Sequence, residues 1–265
     1  MLKKAYRPSH ADFTYEEKYN VFSWHGGGRA SARETVARVL AGVVAKKFLK
    51  EVCGMEFTGY VKQVGHIQSS VNPLQVRPSQ VEKNPIRCPD QRAAQKMLEL
   101  IQGIQRKGDT IGGVVECVIH HVPAGLGDPI FDKLKATLAH AMMSLPASMG
   151  FEMGSGLSSL SMKGSEHNDA FRMKKNVVTT TSNHSGGIQG GVSNGMPIVF
   201  RTVFKPVSTI FKVQKTVTRS HKNTTLTMHG RHDPCVVPRA VVMVEAMAAI
   251  VLADHYLRQR ALGNR

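Results

Sequence analysis

Between Asp169 and Asp233 the chain carries no aspartate or glutamate, yet it places Arg172, Lys174, Lys175, Arg201, Lys205, Lys212, Lys215, Arg219, Lys222 and Arg231 there. Four histidines, His184, His221, His229 and His232, share the span and would add charge beside an anion. Two chemistries suit it: a polyanion such as nucleic acid, held through many phosphates, or a small molecule bringing phosphate and carboxylate groups into a cleft. A solvated basic surface is the plain alternative. A second anion site is offered by Gly26-Gly27-Gly28-Arg29, because a helix is expected to begin just after it, with free N–H groups and the positive end of its dipole. The segment His184–Gly195, HSGGIQGGVSNG, holds five glycines in twelve residues, too many for a regular element and suited to close backbone approach to a ligand.

Other chemistries lose their support. Neither G-x-G-x-x-G nor G-x-x-x-x-G-K-[ST] occurs. The one G-x-S-x-G, Gly191 to Gly195, lies inside the glycine-rich loop without a strand before it or a helix after it, so no nucleophile elbow is expected. Cys53, Cys88, Cys117 and Cys235 are far apart and form no C-x-x-C, which argues against a disulfide framework or a zinc knuckle and fits a reducing cytosol. His229, His232 and Asp233 mimic metal-ligand spacing only loosely.

The elements that must position these residues follow from periodicity. Ser31-Ala32-Arg33-Glu34 has the capping-box form, and Val36, Val39, Leu40, Val43, Val44 and Phe48 follow at helical spacing, predicting a helix over 32–51. Phe57 to Ile67 reads as strand, Asp90 to Lys107 as helix, Thr110 to Val122 as a buried strand, Asp128 to Leu145 as helix and Gly150 to Met162 as a strand broken by glycines. Pro197–Phe204 and Thr209–Val217 read as paired strands, and Pro238 opens an apolar helix over Ala240–Leu262 that ends near Arg258 and Arg260. Its apolar core, Ala240 to Ala253, is shorter than the roughly 20 residues of a membrane span and contains Glu245, so no membrane partner is expected. The first residues lack the apolar region of a secretory signal. With 265 residues, 42% of them hydrophobic, and a formal charge of +16, the chain is basic but able to bury a core, which excludes disordered and collagen-like classes. The loose mixture of helices and strands points to an α+β fold.

The polar clusters, each flanked by glycine or proline, run RPSHADFTY, GGGRASARET, GSEHNDAF, NHSGGIQGGVSNG, KPVST and GRHDPCVVPRAV. In this order they resemble the chorismate synthase family over almost the whole chain. The resemblance implies one domain over 1–265, built as a β-α-β sandwich with helices between two sheets. It also implies an N-terminally incomplete fold, since the family's G-E-S-H-G signature and an arginine pair should precede RPSHADFTY. The implied reaction is an anti 1,4-elimination converting 5-enolpyruvylshikimate 3-phosphate to chorismate and phosphate. It uses reduced FMN, with NADPH only indirectly involved in reducing the flavin, in a cytoplasmic homotetramer of aromatic amino acid biosynthesis that binds neither nucleic acid nor membrane.

By the same resemblance His10 is the acid beside the leaving phosphate, and Asp233 is the carboxylate that works with the flavin in removing the ring proton; a helix N-cap is its structural alternative. Ser31, Ala32, Arg33 and Arg231 match substrate contacts. Arg29, Ala30, Ser31, Ala147, Gly190, Lys205, Pro206, Val207, Ser208, Thr209 and Arg231 match cofactor contacts. The family's Arg-Ser-Ser reads Arg29-Ala30-Ser31 here, one hydroxyl fewer. A non-catalytic remnant that keeps flavin or phosphate affinity is the second reading. A nucleic-acid-binding protein is a distant third, supported by charge alone and opposed by an aromatic content of 6%.

Overall fold

The computed structural model describes residues 3–22, 24, 28–230 and 232–263. Its helices are α1 (Asp12–Tyr19), α2 (Thr35–Cys53), α3 (Pro78–Val81), α4 (Gln91–Arg106), α5 (Leu134–Met143), α6 (Gly164–His167) and α7 (Val237–Ala261). The strands are β1 (Glu56–Val64), β2 (Ile67–Gln68), β3 (Gly113–His120), β4 (Ser148–Met153), β5 (Phe171–Lys174), β6 (Val177–Thr180), β7 (Ile188–Gln189), β8 (Val192–Ser193), β9 (Ile198–Phe204), β10 (Gln214–Val217) and β11 (Asn223–Leu226).

One antiparallel sheet, in the order β2-β1-β3-β9-β4, forms the platform, and β5-β6, β7-β8 and β10-β11 are separate two-stranded ribbons. The sheet's β-branched and aromatic strands bury Val61, Val115, Cys117, Ile119, Ile198 and Phe200 under α7, α5 and α2. Helix α7 is long and apolar enough to cross a bilayer by length and composition alone. Here it is the central core helix: Ala240, Val244, Ala248, Ala249 and Leu252 are fully buried. Close packing of α2 on α7 requires Gly42, because a Cβ there would lie 2.4 Å from the Ala246 Cβ. The opposite side of α2 presents Val36, Leu40, Val43 and Val44 outward, each more than half exposed.

Several sequence expectations need correction. The capping-box serine does not start the long helix: Ser31 caps a 3-10 turn, Ala32–Glu34, by accepting from Arg33 N at 3.4 Å, and α2 begins at Thr35. Helix α5 begins at Leu134 rather than 128, since residues 128–133 form a loop closed by the Asp128 N–H donating to the Asp132 carbonyl at 3.1 Å. The strand expected over Gly150–Met162 ends at Met153, because Gly154 and Gly156 take φ of +56° and +54° and turn the chain into a 3-10 segment, Gly156–Ser161. The segments 197–204 and 209–217 do not pair: β9 lies between β3 and β4, while β10 pairs with β11. β-branched and aromatic residues made both segments strand-like, but such composition is silent about the partner.

Candidate active site

The site grows from the end of β9. As the chain leaves the sheet it makes the turn Lys205-Pro206-Val207-Ser208-Thr209, pinned by three backbone contacts. The Lys205 N–H donates to the Ala147 carbonyl at 2.9 Å, Thr110 Oγ1 donates to the Val207 carbonyl at 2.7 Å, and the Phe211 N–H donates to the Gly108 carbonyl at 2.8 Å. Ala147, the least distinctive of the sequence assignments, thus lies directly against Lys205, in a left-handed conformation with φ of +65°.

Residues 5–10 arrive at this turn from the far end of the sequence. Ala5 bridges Thr218, the Tyr6 N–H donates to the Val217 carbonyl at 3.1 Å, and Thr216 Oγ1 donates to the Tyr6 carbonyl, so this segment is tied by one antiparallel bridge to the end of β10. The next residues turn sharply, and Arg7 grips Asp12 through its own N–H (3.0 Å) and Nε (2.8 Å), with Nη2 on the second carboxylate oxygen. Burial alone would raise the Asp12 pKa, but the bonds from Arg7 hold it below the ordinary carboxylate value. This clamp frames His10. The His10 Nδ1 lies 2.9 Å from the Pro8 carbonyl, Nε2 lies 3.1 Å from Thr209 Oγ1, and Ser208 Oγ donates to the Ser9 carbonyl at 3.1 Å. Burial lowers the His10 pKa; the Pro8 carbonyl and Asp12 oppose this, whereas the cations Arg7 and Lys205 reinforce it. Burial and the neighbouring cations together disfavour a charge on the His10 ring.

Asp233 follows His232 in sequence. The ring of Phe211, two residues beyond Thr209, lies 6.1 Å from the ring of His232. Asp233 Oδ1 pairs with Arg239 Nη2 at 3.0 Å, beside a cleft of about 680 Å³ that Lys83, Arg87 and Arg239 also line. Asp233 does not cap α7; Val236 occupies that position without a side-chain cap, so the alternative reading of Asp233 is corrected. Arg231 falls outside the described residues.

The remaining assigned residues are placed apart from this cluster. Arg29 and Ala30 form an exposed 3-10 turn, followed by Ser31, Ala32 and Arg33 at the entrance to α2; among the described residues no hydrogen bond or ion pair joins them to His10 or Thr209. Gly190 sits at the tip of the β7-β8 ribbon with open space beside its Cα. Ser193, the serine of G-x-S-x-G, is buried, accepting from the Leu126 N–H at 2.9 Å and donating to the Pro123 carbonyl at 2.6 Å, as a structural residue would. Sequence reasoning missed the Arg7–Asp12 clamp, the partnership of Thr209 with His10 and the pairing of Arg239 with Asp233. The clamp's signal was available: an arginine and an aspartate flank the histidine within six residues, and both ends of that short turn carry opposite charge.

Comparison with known proteins gives the family of the chain. The family model for chorismate synthase matches residues 1–257. A chorismate synthase of Synechococcus elongatus is 56% identical over 261 residues, covering 98% of this chain and 72% of that protein. One of Gloeothece citriformis is 58% identical over 254 residues, covering 96% and 70%. A crystal structure of chorismate synthase superposes with a TM-score of 0.75 at 32% identity, over 96% of this chain and 71% of that one. The chain therefore belongs to the chorismate synthase family of lyases, with that family's α+β fold.

Proposed function

We propose that the chain takes part in the family's reaction, the anti 1,4-elimination of phosphate from 5-enolpyruvylshikimate 3-phosphate to give chorismate, with reduced FMN as cofactor. The observation that carries this is the contact of His10 with Thr209, which joins the RPSHAD turn to the KPVST turn across 199 residues of sequence. The donor set suits an anionic cofactor and substrate: Lys205 supplies a cation, Ser208 and Thr209 supply hydroxyls, and the local field already disfavours a protonated histidine.

In this reading Lys205, Pro206, Val207, Ser208, Thr209, Ala147 and Gly190 hold the cofactor, together with Arg29, Ala30, Ser31 and Arg231; Ser31, Ala32, Arg33 and Arg231 hold the substrate. When bound, reduced FMN supplies a transient electron donor to a reaction with no net redox change. The substrate's C–O bond to phosphate breaks with its electron pair leaving on the phosphate, a ring C–H bond loses its proton, and the C–H pair together with the ring's existing double bond forms two double bonds in new positions, a net gain of one. His10 gives the departing phosphate a proton from Nε2. To do so it must first gain that proton, and a phosphate dianion nearby raises its pKa by Coulomb attraction. Asp233, oriented by Arg239 through one carboxylate oxygen, receives the ring proton at the other. NADPH acts only upstream, in flavin reduction, and the functional assembly is a cytoplasmic homotetramer.

The test is an anaerobic assay with chemically reduced FMN and the enolpyruvyl substrate, following chorismate absorbance. Turnover that falls about 10²–10⁴-fold in His10→Ala supports the reading. Flavin binding without chorismate from the intact chain would overturn it.

A further inference from the structure

The partners of His10 fix more than its position. Nδ1 lies 2.9 Å from the Pro8 carbonyl, an oxygen that can only accept, so Nδ1 carries the hydrogen. In the neutral ring Nε2 is then a bare acceptor, and the only way Thr209 Oγ1 can bond to it at 3.1 Å is by donating its single hydroxyl proton. A protonated ring reverses this: Nε2–H donates and the hydroxyl must turn to accept. Thr209 is buried and the Arg7–Asp12 clamp holds the loop, so the ring has little freedom to escape the exchange.

We propose that Thr209 is the positioning residue of His10, donating to Nε2 of the neutral Nδ1–H tautomer and, once the ring is protonated, turning to accept from Nε2–H and holding that proton until the departing phosphate takes it. The inference rests on the reading of His10 as the leaving-group acid. It adds a coupling between the two turns: while His10 is neutral the Thr209 proton is spent on the ring, so toward a bound ligand this hydroxyl can only accept. Protonation of His10 frees that proton for an anionic neighbour. One side chain therefore reports the protonation state of the acid to the turn proposed to hold the cofactor. The charged groups facing His10 are Arg7 and Asp12 on its own loop and Lys205 on the opposing turn, and all three remain in place in the test.

The experiment is a pH titration of the ¹⁵N-histidine-labelled full chain by long-range ¹H–¹⁵N NMR, with His10 assigned from a His10→Gln spectrum. The expected wild-type signature at high pH is a protonated Nδ1 and a bare, hydrogen-bonded Nε2. Thr209→Val should move the Nε2 resonance toward that of an unbonded nitrogen. It should also lower the His10 midpoint by about half a unit to one unit, because the lost bond to the charged ring is the stronger of the two. Thr209→Ser should restore both values. A Nε2–H tautomer in the wild type, or a Thr209→Val spectrum indistinguishable from wild type, would overturn the assignment. Should the valine variant not fold, the wild-type tautomer and the serine variant decide. None of these readings needs flavin or turnover, so a chain with this signature that makes no chorismate refutes the proposed function and not the role of Thr209.

Discussion

The sheet platform and the loops that carry the candidate site are held by different forces. Between β1, β3, β9 and β4 and the helices above them, cohesion comes from apolar burial: Phe200, Leu138, Met142 and Leu252 are almost wholly withdrawn from water. Around His10, cohesion comes from a few polar contacts: the local Arg7–Asp12 clamp, the long-range Ser208–Ser9 and Thr209–His10 bonds and the short bridging of residues 4–6 to 217–219. Apolar burial is indifferent to pH and tolerates little loss of volume; polar clamps respond to single charges and open locally. The contrast teaches that stability and function can be disturbed separately in this chain.

The comparison breaks most decisively in the core. Phe200→Ala removes a fully buried ring packed 5.5 Å from Phe151, and should cost about 3–5 kcal/mol by chemical denaturation, taking the site with it only when the whole molecule unfolds. Acid should strike the loops first. Burial would raise the Asp169 pKa, but hydrogen bonds from Ser185, Ser182 and the 184 and 185 N–H groups bring it down to about 2. Because the folded value lies below the unfolded one, its contribution is complete above about pH 4 and is lost as pH falls toward 2. Asp169→Asn should therefore remove about 2 kcal/mol at neutral pH and flatten the stability profile between those values. A smaller and local effect is expected for Asp12→Ala, about 1–2 kcal/mol. Its mark would be faster amide exchange in residues 5–20 with unchanged protection in β3 and β9. Smallest of all, Leu40→Lys on the outward side of α2 should change stability by no more than about 0.5 kcal/mol while raising solubility in an ammonium sulfate series.

Long elements with a clear period were legible from the residues. Helices α4 and α7 and strands β1 and β3 lie within a few residues of their expected bounds, because a buried face imprints its spacing on 8 to 25 consecutive side chains. What failed was pairing. Nothing in Thr209–Val217 specifies that its lower half belongs to a turn and its upper half to a ribbon with 223–226, since that choice is made by chain segments elsewhere. The same holds for the site. His10 was visible in one polar cluster and Lys205 and Thr209 in another, but the juxtaposition of the two clusters is a property of the fold between them. The positions of Arg29–Arg33 and Gly190 show the converse: motifs of one family need not touch one another within one described chain.

The long reach from His10 to Thr209 also has a meaning in time. A ribosome adding roughly 5–20 residues per second needs about 10–40 s to travel between them, and during that interval residues 5–10 have no β10 to lie against. The platform strands β1 and β3 are complete well before, but α7, the helix that buries them, follows residue 209, so the nascent chain closes its core only after the turn that meets His10 has been made. An interrupted translation that stops just before residue 209 thus releases a molecule with all five platform strands, no α7 to cover them and an acid whose partner was never made.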